Sequence, residues 1–108
     1  MLDKFKDMGK LLKQAKEMKS AMAEIQKQLK KELISAEWFS KKNKGIKVVV
    51  NGELEIQDVI IDPDLLTESN KKELEKGLKT VFTDAIKRAK DLATRKLSSA
   101  SNGLIPGM

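Results

Sequence analysis

A heptad repeat of apolar residues near the start of the chain constrains its fold more than any other feature. The apolar positions recur at alternating intervals of three and four residues, at Met8, Leu11, Ala15, Met18, Met22, Ile25 and Leu29. No proline precedes Pro63, so the pattern predicts one helix from about Leu2 to Glu32. Such a helix is about 45 Å long, whereas a globule of this size has a radius of gyration of about 13 Å. The helix must therefore protrude, and its apolar seam needs a partner helix.

The pattern changes to that of a β-sheet after Glu32. The segments Leu33–Phe39, Ile46–Val50 and Leu54–Ile61 are rich in apolar and β-branched residues and predict three strands. Asn51-Gly52 predicts a two-residue hairpin turn between the second and third strands. The three strands form an antiparallel meander, and one of its open edges can pair with another chain.

The last long segment returns to helical spacing. Apolar residues from Leu74 to Leu97 share one helix face and predict a helix that ends at about Leu97. Residues 98–103 are rich in serine and end in Asn102-Gly103. We therefore expect an α+β fold in the order α-β-β-β-α, with one domain over residues 1–98 and a flexible C-terminal tail over 99–108. If the two helices pair antiparallel, the N- and C-termini meet at one distal tip.

Composition disfavours catalysis. The chain has no Cys, His or Tyr, which removes thiolate chemistry and the usual general base near neutral pH. It also contains no phosphate-cradling loop and no EF-hand pattern. We expect no enzyme activity, no cofactor, no metal and no small-molecule substrate. No run of about 20 apolar residues occurs, so we expect no membrane partner and a cytoplasmic location.

Charge is segregated along the chain. Residues 1–31 hold nine lysines against four acidic residues, and residues 71–97 hold nine basic residues against four acidic ones, so each segment carries +5. Residues 48–70 carry six acidic residues and no basic one. The whole chain carries +6, but this segregation is more informative than the total. Two basic helices flanking an acidic sheet region favour an anionic partner for the helices.

Duplex DNA is the partner that this pattern favours. Lysine is suited to phosphate contacts more than to base recognition, and the chain has only two arginines, so we expect weak sequence preference. Few aromatic residues disfavour stacking on single strands, and Trp38 is expected to pack in the core or an interface. The predicted DNA-binding residues are Lys4, Lys6, Lys10, Lys13, Lys87, Arg88, Lys90, Arg95 and Lys96.

Two other interpretations remain open from the residues themselves. A coiled-coil interaction module, or a chaperone-like module that clamps a protein partner, would also use a methionine-containing heptad seam. A helix lying on an anionic membrane surface is less favoured, because the seam is narrow and a second amphipathic helix matches it.

Four stretches resemble the YbaB/EbfC family of nucleoid-associated proteins. They are GIKVVVNG at residues 45–52, VIIDPDLL at 59–66, DAIKRA at 84–89 and GLIPG at 103–107, and the resemblance spans essentially the whole chain. It implies an α+β homodimer, with the sheets and adjoining loops at the interface and helical arms that project like tweezers. It also implies a bacterial cytoplasmic protein, bound to the nucleoid, that affects chromosome organisation and gene expression. No set of binding residues is carried over from the family.

One segment departs from the family pattern. Family members usually have a glycine-rich turn before the second strand, whereas residues 41–45 here are Lys-Lys-Asn-Lys-Gly. This lysine-rich turn is consistent with two alternatives: an altered hairpin, or a second basic patch near the sheet.

Overall fold

The computed structural model of this protein describes the backbone of residues 2–104 and the side chains of residues 8–99. The helix α1 (Leu2–Lys31) comes first, followed by the strands β1 (Leu33–Phe39), β2 (Gly45–Asn51) and β3 (Ile56–Ile61). Two short 3₁₀ turns, Pro63–Leu65 and Glu68–Asn70, lead into the helix α2 (Lys71–Leu104). The predicted α+β class and the α-β-β-β-α order are confirmed.

The core lies between α2 and one face of the sheet. The strands are antiparallel in the order β1-β2-β3. Alternate residues of β2 are buried, because every second side chain of a strand points to the same face. The buried core residues are Ala36, Ile46, Val48 and Val50 from the sheet, Leu65 from the first 3₁₀ turn, and Val81, Ala85 and Ala89 from α2.

Trp38 packs at the margin of this core, in agreement with its expected structural role. Gly77 of α2 lies against the indole ring. A β-carbon at position 77 would collide with the ring and would come within 2.8 Å of the Ile46 side chain. Glycine at this position therefore lets α2 approach the strand that carries the tryptophan.

The C-terminal part of α1 is where this helix meets the body of the protein. Among the described side chains of α1, Ile25 and Leu29 are buried, whereas every residue from 8 to 20 is exposed. We call residues 8–20 the arm. The chain extends over 76 × 22 × 17 Å, so the predicted protrusion of α1 is confirmed.

The described ends of the two helices, Leu2 and Leu104, do not meet at one tip, in contrast to the expectation for the termini. The helices run in opposite directions, because Lys96 lies against Glu32 whereas Ser99 lies beside Ile25. From this crossing α2 continues for about 12 Å, but α1 continues for about 39 Å back to Leu2. The arm projects beyond the end of α2 because the first half of α2 is occupied by the sheet. The arm's apolar seam consequently has no partner helix among the described residues of the chain.

Asn51 and Gly52 join the end of α1 to the sheet. The Gly52 N–H donates to the Leu29 carbonyl at 2.7 Å, and the Asn51 side-chain amide donates to the Lys30 carbonyl at 3.2 Å. The last carbonyls of a helix lack intrahelical partners, so these two bonds cap α1. A β-carbon at position 52 would lie 2.8 Å from the Leu29 carbonyl oxygen, which explains the glycine.

The predicted two-residue turn at Asn51-Gly52 is wrong. Asn51 remains in β2, and the connection runs from Gly52 to Glu55, with Leu54 in the left-handed region at φ 66°. The Asn51 side-chain oxygen accepts from the N–H groups of Glu53 and Glu55, both at 3.0 Å. Because Asn51 also bonds to α1, the Asn-Gly pair serves as a junction between helix and hairpin.

α2 also differs from its predicted extent. It ends at Leu104, seven residues beyond the predicted end at Leu97. Residues 98–102 contain no proline or glycine, so nothing in them interrupts the hydrogen bonding of the helix. The division into a domain over 1–98 and a tail over 99–108 stays a prediction, and residues 105–108 lie outside the described residues.

We expect Asn51→Ala to lower the free energy of unfolding by about 2–3 kcal/mol, because it leaves several buried polar groups without partners. Urea denaturation followed by circular dichroism, at a fixed protein concentration, measures this loss. Asn43→Gly is the matched control: Asn43 is exposed at φ 63°, a conformation that glycine adopts readily. A similar loss in both variants would contradict the role assigned to Asn51.

Candidate nucleic-acid interface

The arm carries lysines on one side and the apolar seam on the other. Lys10 and Lys13 are three residues apart and exposed, so they lie on neighbouring positions of one helix face. Leu11 and Met18 lie on the seam and are 63% and 46% exposed. No acidic residue occurs between positions 8 and 16. Lys10, Lys13 and Lys16 therefore form a basic stretch of the arm, which ends at Glu17.

Two predicted residues, Lys4 and Lys6, belong to the same helix as the arm. Their side chains lie outside the described residues. Lys16 and Lys19, which were not among the predicted residues, are also exposed on the arm. Their spacing of three residues from Lys13 and from each other was the available sign that the basic surface continues along α1.

The five predicted residues of α2 divide into two groups. Arg88 is held by Asp84 at 3.2 Å and donates to the Ser35 carbonyl at 3.2 Å. Lys96 pairs with Glu32 at 3.1 Å and donates to Gln28. These two cations stabilise contacts within the chain. The other three, Lys87, Lys90 and Arg95, are exposed, and none takes part in an ion pair among the described residues.

The two predicted clusters do not converge within one chain. Lys96 lies against Gln28, and Lys13 is 15 residues before Gln28 on the same helix, a separation of about 22 Å. The residues 87–96 thus lie where α2 leaves the sheet and meets α1, and Lys10 and Lys13 lie farther out on the arm. The predicted residues whose side chains are described therefore form two separate basic surfaces, not one.

A further basic surface lies at the opposite end of the sheet, where β1 ends and α2 begins. A depression of about 400 Å³ is lined there by Trp38, Phe39, Lys41, Lys72, Glu73 and Lys76. Lys42 is exposed beside Lys41 on the β1–β2 turn. We call Phe39, Lys41, Lys42, Lys72 and Lys76 the head surface. The lysine-rich turn is visible in the sequence, but only the fold brings it next to the start of α2.

Hydrogen bonds of Ser40 hold the β1–β2 turn together. This residue is 8% exposed; its N–H donates to the Lys44 carbonyl at 2.9 Å, and its hydroxyl accepts from the Lys44 N–H at 3.1 Å. The Asn43 N–H donates to the Ser40 carbonyl. Lys44 also pairs with Asp64 at 2.8 Å. The hydrogen bond and the charge of Asp64, with a smaller contribution from Asp62, raise the pKa of Lys44 above its usual value.

Metal-ligating clusters and membrane-spanning helices are both absent from the described part of the chain. Between residues 8 and 99 no group of three acidic, His or Cys side chains is arranged to hold a metal ion. Across the described helices, no segment is long and apolar enough to span a membrane.

These features define a class of protein: a small α+β binding protein with a long basic helical arm. The chain belongs to the YbaB/EbfC DNA-binding family, whose model matches residues 4–104. The family resemblance of the sequence is thus confirmed.

Relatives agree with this assignment. The chain is 36% identical over 99 residues to the nucleoid-associated protein DP1429 of Desulfotalea psychrophila, covering 91% of this chain and 90% of that protein. The fold is similar to the crystal structure of the uncharacterized protein HP0035 from Helicobacter pylori, with a TM-score of 0.61 and 21% identity over 75% of this chain and 90% of that one. At this identity the second likeness concerns the fold alone.

We expect Asp64→Asn to lower the pKa of Lys44 toward its usual value, because the raised pKa depends mainly on Asp64. A pair that raises a lysine pKa stabilises the folded protein fully below the unfolded pKa, and the contribution is lost as the pH rises through the folded pKa. Titration of the Lys44 side chain by NMR measures the shift. Glu68→Gln is the control, since Glu68 does not contribute to it; an unchanged Lys44 pKa in Asp64→Asn would contradict the pairing.

Proposed function

We propose that this protein is a nucleoid-associated protein that binds duplex DNA through its basic helices and so influences nucleoid organisation and gene expression. One observation carries the proposal: in a chain of a DNA-binding family, a helix projects from the body with lysines along its exposed face. A free helix with unneutralised lysines is suited to phosphate groups, whose neutralisation releases counterions from DNA. The proposed site of action is the bacterial nucleoid in the cytoplasm.

The nine predicted residues contribute unequally in this proposal. Arm residues are the main contacts, since Lys10 and Lys13 are exposed and form no ion pair among the described residues, and Lys4 and Lys6 continue the same helix. Lys87, Lys90 and Arg95 add a second group of contacts. Arg88 and Lys96 contribute less, because binding DNA would require them to leave Asp84 and Glu32.

Contacts of this kind are tolerant of DNA sequence. Phosphate contacts position a protein on the duplex, whereas base edges in the grooves carry the sequence information. Lysine is a flexible point charge, and bidentate recognition of guanine is usually made by arginine. One of the two arginines, Arg88, is held by Asp84 and the Ser35 carbonyl. We therefore propose weak base preference and strong dependence on salt.

The protein acts as a homodimer in this proposal. β3 is an edge strand with exposed apolar residues on both faces: Val59, whose partner Val48 is in the core, and Ile60, whose partner is Lys47. The arm adds an exposed apolar seam. A cleft of about 440 Å³ between the two helices is lined by the apolar residues Met22, Ile25, Leu29, Leu54, Ala93 and Leu97. A second copy that covers such surfaces would bury area that a single small chain leaves in water.

We expect wild-type protein to bind duplex DNA with an affinity that falls steeply with salt. In Lys10→Ala/Lys13→Ala the slope of log K against log salt should be less steep by about 0.9 for each lost phosphate contact. Mobility-shift or anisotropy titrations at several salt concentrations, on two unrelated duplex sequences, measure the affinity and its salt slope. The loss should be the same on both sequences.

Lys30→Ala/Lys31→Ala is the matched control, because it removes two exposed lysines from the same helix at the end beside the sheet. It should reduce binding less than the arm variant. A folded protein that does not bind duplex DNA at low salt would overturn the proposal. Salt-insensitive binding of a polypeptide without DNA affinity would support the alternative of a chaperone-like or coiled-coil interaction module.

We expect Ile60→Glu to halve the mass in solution from about twice 12.1 kDa, because a carboxylate on the edge strand opposes the pairing of a second copy. Sedimentation velocity measures the mass, and circular dichroism verifies the fold. Gln57→Glu introduces the same charge on the same strand at a position that is already polar and exposed, and it should remain dimeric. A monomeric wild type, or a dimeric Ile60→Glu, would contradict the proposed interface.

A further inference from the structure

We propose that the head surface is a second DNA-binding surface, which takes the phosphate backbone of another duplex while the arm holds the first. This inference rests on the proposed DNA binding by the arm. Its consequence is that one protein bridges two DNA segments. The partner at the head surface is a second duplex, which is recognised by the regular array of negative charges on its phosphate backbone.

Charge is the first argument. Lys41, Lys42, Lys72 and Lys76 are exposed, and none of them forms an ion pair with a described residue. Neighbouring lysines behave differently. Lys44 pairs with Asp64, and Lys71 pairs with Glu75 at 3.8 Å. Three lysines, Lys41, Lys72 and Lys76, line the depression against the single carboxylate of Glu73 and leave it positive, with donors available to an external anion.

The shape of the head surface is the second argument. Lys72 and Lys76 are four residues apart on α2, so they lie on one helix face, and Lys41 approaches the same depression from the β1–β2 turn. The turn is held by the bonds of Ser40. Phe39, 55% exposed, and Trp38 supply apolar walls. Positive groups beside walls of low polarity attract anions more strongly than the same groups in open water.

The position of the head surface is the third argument. β1 starts beside the end of α1 and carries the chain to the head, so the arm and the head lie toward opposite ends of the 76 Å axis. Lys10 and Lys41 are separated by roughly 50 Å, adding the lengths of the helix and the strand between them. A duplex of 12 base pairs is about 41 Å long. It is too short to reach from Lys10 to Lys41.

Capture of one duplex by another tests the proposal. A biotinylated duplex of 40 base pairs is immobilised on beads and loaded with wild-type protein, and a fluorescent duplex of 12 base pairs is added at low salt. We expect the loaded beads to retain the short duplex. In Lys41→Ala/Lys42→Ala/Lys76→Ala, retention should fall at least about fivefold, while affinity for the 40-base-pair duplex in solution changes by less than about twofold.

Control variants separate this proposal from the arm contacts. Lys71→Ala, beside Lys72 but paired with Glu75, should retain the short duplex as wild type does. Lys10→Ala/Lys13→Ala should lose affinity for the duplex on the beads but still bind the short duplex in solution. When the three head substitutions are added to this variant, binding of the short duplex in solution should be lost as well. Lys41→Gln/Lys42→Gln provides a second head variant that keeps the polarity of the turn, and circular dichroism verifies that each variant is folded.

Three outcomes would overturn the bridging proposal. In the first, beads loaded with wild-type protein retain no short duplex, and in the second, beads loaded with the head variant retain as much short duplex as beads loaded with wild type. In the third outcome, the head substitutions weaken binding of the 40-base-pair duplex as strongly as the arm substitutions do. The last would mean that one duplex lies along both surfaces. Failure of the proposed function gives a different result, since wild-type protein would then not bind the 40-base-pair duplex in solution.

Discussion

The junction between the end of α1 and the β2–β3 connection supports the rest of this structure. α1 buries only Ile25 and Leu29 among its described side chains, so apolar packing alone would hold its direction weakly. Asn51 and Gly52 bind its last carbonyls, and Lys96 adds a lateral contact to Glu32. Hydrogen bonds are directional, and these fix the angle at which the arm leaves the body.

This geometry separates the lysines of the chain into two kinds. Cations near the body, such as Lys96 and Lys44, meet carboxylates that the fold brings to them. On the arm, residues 8–20 project away from the body and lie exposed. Lys41 and Lys76 are on the surface of the head and form no ion pair with a described residue. The position of each cation relative to folded neighbours, more than its number, thus decides whether it is available to an external anion.

The sequence predicted the elements well and their junctions poorly. The heptad seam and the β-branched runs depend on local periodicity, so α1, the three strands and the start of α2 could be located. The Asn51-Gly52 pair was misassigned, because both residues also bond to α1, at Leu29 and Lys30, more than twenty residues earlier. The helical pairing was misplaced for a similar reason: periodicity shows that α2 has an apolar face but not how much of that face the sheet occupies.

The sequence alone determined the protein's class, its basic helices and its membership of a DNA-binding family, because composition, spacing and motifs are properties of the linear chain. Tertiary structure decided which of the predicted residues are free. It holds Arg88 and Lys96 in internal contacts, separates Lys10 and Lys13 from residues 87–96, and gathers Lys41, Lys72 and Lys76 around one depression. The heptad seam first indicated a long helix in need of a partner. Its exposure on the arm follows from packing, because the sheet covers the part of α2 that would otherwise have met it.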